Sequence, residues 1–314
     1  MVYIGVDLGG TNIAVGVVSE TGSILAEASV KTLAERPSEE VIRDMAACAQ
    51  KALNKAGLTQ EDVKSIGVGV PGVADEENGV VISCTNLGWH NVPLRSEMQK
   101  YINKPVYVGN DANVAALAES YVGVSAGCSS SVMLTLGTGL GGGIVINGKA
   151  WGGSHGRGGE IGHVTLVPDG VPCTCGNNGC AERYVSATAL IRMGKQECIS
   201  FPDSLILKKA GSIDRINAKN VLDAAKEGDA PALRVFNTFV NYLALTINNI
   251  TSFFDPEMVV LGGGVSHAGA FLLDAIRAIL PRYQMFKALP IPRLELARLG
   301  NEAGIIGAAL LGKN

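Results

Sequence analysis

Three cysteines lie close together in the segment CTCGNNGC, residues 173–180, and His163 precedes them with the spacing H-x9-C-x-C-x4-C. Three thiolates and one imidazole form the closed four-ligand set of structural zinc. A disulfide knot and a redox loop are the alternatives. The odd number of thiols disfavours disulfides, and the C-x-x-C spacing of a redox pair is absent. The spacing therefore favours a zinc site, with the ligands His163, Cys173, Cys175 and Cys180.

Two carboxylates flank the cysteine cluster, Glu160 in the segment GEIGH and Glu182 in the segment AER. A metal that holds His163 and the cysteine loop would also hold these two side chains. Carboxylates fixed in this way can accept hydrogen bonds from hydroxyl groups of a ligand. An unremarkable surface loop is the alternative for Glu182.

Three glycine-rich turns each follow an apolar run: LGGT (residues 8–11), LGTGLGGG (136–143) and LGGGV (261–265). Backbone N–H groups in such turns can surround phosphate oxygens, and glycine lets the backbone approach closely. Any one turn taken alone is better explained as an ordinary hairpin, but three of them, two with Gly-Thr pairs, favour a phosphate site. The candidate contacts are Gly9, Gly10, Thr11, Asn12, Thr138, Gly139, Gly263 and Gly264.

Asp7 ends the first strand, directly before the first glycine turn. A carboxylate beside bound phosphates is suited to hold Mg²⁺, directly or through water. A turn-capping aspartate is the alternative.

Other nucleotide-binding signatures are excluded. Residues 67–72 and 137–142 both match G-x-G-x-x-G, but neither opens a helix, as a dinucleotide site requires. The P-loop pattern G-x-x-x-x-G-K-[ST] and the protein-kinase signatures are absent.

The elements that must position these residues alternate between strands and helices, which predicts an α/β fold. Strands are expected over 2–7, 13–18, 23–30, 63–70, 106–109 and 257–261, and residues 131–146 repeat the opening order of strand, glycine-threonine turn and strand. Two copies of a βββαβα-like unit would explain this repeat. Helices are expected over 41–53, 111–121 (with Asp111 as its acidic cap), 186–193, 220–226, 230–254, 268–280 and 302–311.

Composition narrows the class of protein. The chain has 314 residues, 47% of them hydrophobic and 18% charged, which predicts a globular protein of two domains. Because the 26 basic residues are nearly balanced by 29 acidic ones, no nucleic-acid partner is expected. No signal segment and no apolar run of membrane-spanning length is apparent, so a cytoplasmic protein without a membrane partner is expected. The remaining cysteines are expected to be buried: Cys48, Cys84, Cys128 and Cys198.

With these motifs the chain resembles the ROK family (bacterial sugar kinases, repressors and open reading frames) of the actin-like sugar-kinase superfamily. The similarity runs from the first strand to the final helix. It includes EIGH at 160–163, the cysteine segment extended to Glu182, NDAN at 110–113 and NLGW at 86–89. The last of these, with LGNEAG at 299–304, is most similar to the glucose-phosphorylating members.

The resemblance implies an ATP-dependent kinase with Mg²⁺ and structural zinc that phosphorylates the 6-hydroxyl of glucose. It also implies an actin-like fold of two domains with an interdomain cleft. The expected domains are residues 1–110 plus 300–314, and residues 111–299 with the zinc loop. A homodimer or homotetramer is implied as well.

The family pattern also assigns roles to side chains. Asp111 is implied to be the catalytic base, whereas its residue type alone also fits a plain helix cap. Asn110 would hold a neighbouring sugar hydroxyl, and Asn86 would bind the sugar. Glu160, His163 and Glu182 would contact the sugar as well, with His163 using one ring nitrogen for zinc and the other for the substrate.

Departures and alternatives remain. Asn12 stands where many relatives have lysine, so one phosphate contact is in doubt. Trp89 fits the core better than a place beside the sugar. Phosphorylation of N-acetylmannosamine, fructose or mannose is the nearest alternative activity, and polyphosphate the alternative donor. A sugar-sensing repressor is disfavoured, because no DNA-binding segment precedes the kinase-like fold, and a zinc scaffold leaves Asp7 and Asp111 unexplained.

Overall fold

The structure is a computed structural model and describes residues 1–313. The chain forms two compact units. The first contains Met1–Ser131, Gly143–Gly159 and the described residues from Arg298 onward; the second contains Val132–Gly142 and Glu160–Ala297. Residues 111–131 thus belong to the first unit, whereas the sequence placed 111–299 in one domain. The domain bounds expected from the sequence stay a prediction.

Strands and α-helices are mixed along the described residues, which confirms the α/β class. The strands are β1 (Val2–Leu8), β2 (Asn12–Ser19), β3 (Ile24–Lys31), β4 (Val63–Val70), β5 (Val73–Asp75), β6 (Val80–Cys84), β7 (Trp89–Val92), β8 (Val106–Asn110), β9 (Ser130–Leu136), β10 (Leu140–Ile146), β11 (Lys149–Ala150), β12 (Met258–Gly262) and β13 (Arg293–Leu296). The helices are α1 (Ser38–Ala56), α2 (Leu94–Gln99), α3 (Asp111–Tyr121), α4 (Ala187–Ser200), α5 (Leu205–Ala210), α6 (Ala218–Lys226), α7 (Ala230–Phe254), α8 (Ala270–Ile279) and α9 (Ala303–Leu310).

The first sheet has the strand order β3-β2-β1-β4-β8. The central strand β1 pairs antiparallel with β2 and parallel with β4, which in turn pairs parallel with β8. All residues of β1 are buried except Asp7. Such continuous burial is typical of a strand covered on both faces of its sheet. Asp7, near the carboxyl end of β1, is therefore the one residue of this strand that is partly exposed.

The second sheet has the order β11-β10-β9-β12-β13, which corresponds strand for strand to the first. In each sheet the first strand of the repeated unit (β1 or β9) is central, and a glycine-threonine turn joins it to the next strand (β2 or β10). The internal repeat expected from residues 131–146 is therefore confirmed. The match to G-x-G-x-x-G at 137–142 leads into strand β10 and not into a helix, as expected.

Most helices agree with the sequence prediction. The helix expected over 230–254 has those bounds, and the helix expected over 41–53 lies within α1, which ends at Gly57 in the left-handed conformation with φ 68°. The helix expected over 302–311 begins one residue later, after a 3₁₀ turn at Gly300–Glu302. The three-stranded sheet β5-β6-β7 and the short helices α2 and α5 were not predicted.

Two smaller expectations are also settled. Cys48, Cys84 and Cys198 are buried as expected, whereas Cys128 is partly exposed. Within residues 1–313, no helix combines the length and the apolar character needed to cross a membrane.

Helix α9 packs unusually close to its neighbours in the first unit. A Cβ on Gly5 of β1 would lie 1.9 Å from the carbonyl oxygen of Ile305, and one on Gly67 of β4 would lie 1.7 Å from that of Ala308. A Cβ on Gly307 of α9 would lie 1.7 Å from the carbonyl oxygen of Val114 in α3. Glycine is required at these points because no side chain fits. Helix α9 is therefore held firmly against both the sheet and α3.

Candidate active site and metal centre

The first glycine turn is anchored through its carbonyl groups. Gly9 N–H donates to the Asn12 carbonyl at 3.0 Å, which closes the turn between β1 and β2. The Thr32 hydroxyl donates to the Gly9 carbonyl at 2.6 Å, and Thr32 N–H donates to the Thr11 carbonyl at 3.0 Å. Gly10, Thr11 and Asn12 themselves are exposed. Thr32 thus holds the turn on its protein side, and the other side of the turn faces solvent. Thr32 was not singled out from the sequence.

Asp7 stands at the end of β1, beside this turn. Partial burial raises the pKa of its carboxyl group above the usual range. Among residues 1–313 its side chain has no hydrogen bond or ion pair to offset that burial. A Cβ on Gly304 of α9 would lie 2.6 Å from Asp7 Oδ2, so helix α9 directly backs the carboxylate. A carboxylate of this kind fits Mg²⁺, which takes oxygen ligands and would stabilise the charged form.

Helix α3 is capped by Asn110, and this corrects the expectation that Asp111 is its cap. Asn110 Oδ1 accepts hydrogen bonds from the N–H groups of Ala112 at 2.9 Å and Asn113 at 3.1 Å. Asn110 Nδ2 donates to the Gly72 carbonyl at 2.9 Å. Because an amide has two N–H donors, one remains for a further acceptor. Asn110 is thereby fixed at both ends of its amide group.

Asp111 is the first residue of α3, and its Oδ1 accepts from Ala112 N–H at 2.7 Å. The amino end of a helix stabilises a carboxylate in its charged form. Since Asn110 supplies the cap, the local structure does not need Asp111 for that purpose. A partly exposed carboxylate at a fixed helix start is well suited to accept a proton.

Asn86 is exposed in the 3₁₀ turn Thr85–Leu87 and lies next to the first glycine turn, since a Cβ on Gly10 would be 3.6 Å from the Asn86 Cβ. It also lines an open cavity of about 800 Å³. Trp89, by contrast, is only 3% exposed and belongs to the core of the first unit. The interpretation of Trp89 as a core residue is therefore confirmed.

The four predicted zinc ligands converge in the second unit. Their ligand atoms all lie within 4.8 Å of one another. The Cys173 Sγ is 3.7 Å from His163 Nδ1, and the Cys175 Sγ is 3.6 Å from the Cys180 Sγ. Ligands on a tetrahedral zinc ion with ordinary bond lengths are about 3.5–3.8 Å apart. The donor set and its spacing therefore fit zinc.

The thiols of the cluster differ in acidity. Burial raises the pKa of the Cys180 thiol to about 12, whereas the backbone N–H of Asn177 lowers the pKa of the exposed Cys175. Zinc binds thiolates, so metal binding must displace the proton of Cys180. The apparent affinity for zinc is therefore expected to fall as the pH is lowered.

Both flanking carboxylates contact the cluster. His163 Nε2 lies 3.9 Å from Glu160 Oε2, on the side of the ring opposite to the nitrogen that faces Cys173. Glu182 Oε1 accepts from the Cys173 thiol at 3.1 Å. A Cβ on Gly139 would lie 2.6 Å from Glu182 Oε2. Glu182 therefore lies between the cysteine cluster and the second glycine turn.

The other two glycine turns meet within the second unit. Gly263 has φ 80°, and a Cβ there would lie 2.7 Å from the carbonyl carbon and oxygen of Leu136. The Thr188 hydroxyl donates to the Thr138 carbonyl at 2.7 Å, which ties the turn at 137–139 to helix α4. Gly264 has open space around it. The phosphate candidates Thr138, Gly139, Gly263 and Gly264 thus form one group.

The predicted site residues are divided between the two units. The first holds Asp7, Asn86, Asn110, Asp111 and the turn at 9–12, and the second holds Glu160, His163, Glu182, the zinc ligands and the other two glycine turns.

Comparison with known proteins places the chain in one family. The ROK family profile matches residues 3–314. A glucokinase of Thermotoga maritima is 40% identical over 307 residues, which are 98% of this chain and 95% of that protein. A crystal structure of a ROK family glucokinase from Streptomyces griseus, in complex with glucose and AMPPNP, is 37% identical with a TM-score of 0.84 and covers 100% of this chain and 99% of its own.

A ROK hexokinase from Thermus thermophilus is 35% identical with a TM-score of 0.84, over 99% of this chain and 97% of that one. The two five-stranded sheets with corresponding strand order are thus those of the actin-like sugar-kinase fold. On the strength of the whole-chain profile match and these identities, the chain belongs to the ROK family.

Proposed function

We propose that this protein is an ATP-dependent glucose kinase, which transfers the γ-phosphoryl group of ATP to the 6-hydroxyl of glucose. The observation that carries the proposal is the whole-chain similarity to a glucokinase solved with glucose and AMPPNP. The products are glucose 6-phosphate and ADP, the entry reaction of glycolysis.

Asp111 is the general base of the proposed reaction. It takes the proton of the 6-hydroxyl while that oxygen bonds to the γ-phosphorus, and the bond from this phosphorus to the bridging oxygen of ADP breaks. The partly exposed position of Asp111 at the start of α3 supports this role. Asn110 is fixed by its bonds to the α3 backbone and to Gly72, and its second amide N–H donates to a neighbouring sugar hydroxyl.

The other proposed sugar contacts are Asn86, Glu160, Glu182 and His163. Asn86 is exposed beside the first glycine turn. Glu160 and Glu182 accept hydrogen bonds from sugar hydroxyls, and His163 uses Nε2 for the sugar and Nδ1 for zinc. Zinc, when bound, holds the loop that carries these three residues.

The nucleotide is bound by the glycine turns, with contacts from Gly9, Gly10, Thr11, Asn12, Thr138, Gly139, Gly263 and Gly264. Asp7 holds Mg²⁺, directly or through water, and the ion neutralises phosphate charge when bound. Asn12 can donate a hydrogen bond to a phosphate but lacks the charge of the lysine found in many relatives.

We also propose that the protein acts in the cytoplasm as a homodimer or homotetramer. Membership of the ROK family supports this assignment, whereas the apolar residues of α7 are largely buried within this chain. Sedimentation of the purified protein tests the oligomeric state.

A coupled assay with Mg-ATP and a panel of glucose, mannose, fructose and N-acetylmannosamine tests the proposed activity, with polyphosphate as a second donor. Glucose with ATP is expected to give the highest kcat/KM. A different preferred sugar would change the substrate and leave the reaction class intact. If no sugar is phosphorylated while glucose still raises the Tm, a sugar-sensing protein is the correct assignment.

The Gly139→Ala variant tests the position of Glu182. The new methyl group would lie 2.6 Å from Glu182 Oε2, so the carboxylate must move. Displacement of this substrate-binding group is expected to raise the KM for glucose by about tenfold, whereas an effect on the proposed phosphate contact of Gly139 would raise the KM for Mg-ATP instead. Gly137→Ala is the matched control in the same turn, because no atom lies within 4 Å of a Cβ at that position. Equal kinetics of the two variants would contradict the proposed role of Glu182.

A further inference from the structure

Glu119 is a buried carboxylate that the proposed mechanism does not use. Its side chain is inaccessible to solvent near the end of α3. Its Oε2 accepts from Val124 N–H at 2.8 Å, and its Oε1 accepts from the N–H groups of Arg298 at 2.7 Å and Leu299 at 2.8 Å. No ion pair within residues 1–313 includes this carboxylate. Three backbone N–H groups therefore satisfy both oxygens of a carboxyl group that would otherwise be costly to bury.

These donors come from segments that are distant in the sequence. Val124 follows α3 directly, whereas Arg298 and Leu299 precede the 3₁₀ turn Gly300–Glu302 and helix α9. The amino end of a helical segment has N–H groups without partners in the helix and attracts a negative charge. Glu119 thus binds the start of the C-terminal helical segment to the end of α3.

Space for this arrangement is provided by Gly123. A Cβ on Gly123 would lie 2.0 Å from Glu119 Oε2. The sequence around the carboxylate is therefore adapted to its position, and the contact is not a chance approach of two loops.

The helical segment that Glu119 anchors is the one that backs Asp7. Gly304 lies in the first turn of α9, and a Cβ there would be 2.6 Å from Asp7 Oδ2. The glycine contacts of α9 with the sheet and α3 lie further along, at Ile305, Gly307 and Ala308. The residues before Gly304 are attached to α3 by the packing of Leu299 and Ala303 against Leu117 and Ala118 and by the hydrogen bonds to Glu119.

We infer that Glu119 is a positioning residue for the Mg-ATP site: by holding Arg298 and Leu299, it fixes the first turn of α9 behind the Asp7 carboxylate. This inference rests on the proposed kinase activity. It assigns a purpose to the segment LGNEAG, residues 299–304, which the sugar and zinc sites leave unexplained. The same helix α3 begins at Asp111, so one helix positions both the proposed base and, through α9, the proposed metal ligand.

Glu119→Gln is the direct test. Glutamine keeps the shape of the side chain but has an NH₂ group where an acceptor is needed, so one set of backbone N–H groups loses its partner. Glu119 acts on Asp7 through α9 and not by a direct hydrogen bond, so we expect an effect at the lower end of the 10–100-fold range typical of groups that hydrogen-bond a metal ligand. The half-saturating Mg²⁺ concentration and the KM for Mg-ATP are expected to rise about tenfold, while the KM for glucose stays within about twofold of wild type.

Val41→Ala is the stability control. Val41 is fully buried in α1, in the core on the other side of the first sheet, and its truncation lowers the Tm without touching α9. Its KM values for Mg-ATP and glucose are expected to stay at wild-type values. If Glu119→Gln gives the same kinetic pattern as Val41→Ala, Glu119 contributes only to stability and the inference is wrong.

A double-mutant cycle with Gly304→Ala tests the connection to Asp7. The added methyl group displaces Asp7 directly and leaves the bonds of Glu119 intact. If both substitutions act through the same carboxylate, their effects on the half-saturating Mg²⁺ concentration are less than additive. Additive effects would contradict the connection.

A binding measurement on the wild-type protein keeps the test independent of catalysis and of the folding of any variant. Mg-ATP is expected to slow hydrogen exchange at the amides of Arg298 and Leu299, and glucose alone is not. Unchanged exchange with Mg-ATP would overturn the inference. A wild-type protein that phosphorylates no sugar would instead refute the proposed function, so the two failures are distinguishable.

Discussion

The Asp111→Asn variant is expected to phosphorylate glucose with a kcat/KM at least about 10²-fold below that of the wild type, the scale of a lost general base. Asparagine keeps an oxygen that can accept the hydrogen bond from Ala112 N–H, so the start of α3 is preserved. What it loses is the ability to take a proton from the attacking hydroxyl. The measurement is steady-state kinetics with glucose and Mg-ATP.

The loss is expected in kcat, with the KM for glucose little changed, since the amide still fits beside the sugar. Asp62→Asn is the matched control, because Asp62 makes the same kind of bond, from Thr59 N–H at 2.9 Å, in an exposed turn of the same unit. Its kinetics are expected to equal those of the wild type. An Asp111→Asn protein within about tenfold of wild-type kcat would show that another group takes the proton.

The sequence predicted the glycine turns and the clustering of His163 with the three cysteines because these signals are local. Glycine marks backbone that must approach another group, and C-x-C-x4-C brings three thiols together within one short loop. The two equal sheets followed from the repeat of LGGT and LGTG. These features need no knowledge of distant contacts.

The cap of α3 shows the limit of local signals. Asn110 and Asp111 are adjacent, and both residue types are good caps, so the sequence favoured the aspartate. The structure gives the cap to Asn110, because that residue still has an extended conformation with ψ 142° while Asp111 is already helical. A one-residue difference of this kind changes which side chain caps the helix.

Contacts between segments distant in the chain could not be predicted from the sequence. Glu119 binds amides 179 and 180 residues away, and nothing near it in the chain predicts them. The close approach of Gly263 to Leu136 depends in the same way on the pairing of β9 with β12 in the second sheet. The hairpins of β5, β6 and β7 were missed for another reason, since strands of three to five residues carry too little periodicity to be recognised.

Removal of zinc is the second large effect we expect. Cys180 is fully buried and is the ligand least able to leave the cluster, so Cys180→Ser is expected to abolish stoichiometric zinc and to lower the Tm. The KM for glucose should rise more than the KM for Mg-ATP, because Glu160, His163 and Glu182 all depend on the cluster. The expected loss in kcat/KM for glucose is on the order of 10²-fold. Zinc content, Tm and the two KM values are the measurements.

Cys198→Ser is the matched control for this prediction. Cys198 is also buried in the second unit, but it lies in α4 and is no ligand, so its replacement lowers stability without affecting zinc or the KM for glucose. Chelation of the wild-type protein and readdition of zinc should reproduce and then reverse the phenotype of Cys180→Ser. A protein that keeps its wild-type KM for glucose after losing zinc would show that the carboxylates are held by the polypeptide alone. In that case the contact of Glu182 with Gly139, and not the metal, would determine the position of the sugar-binding groups.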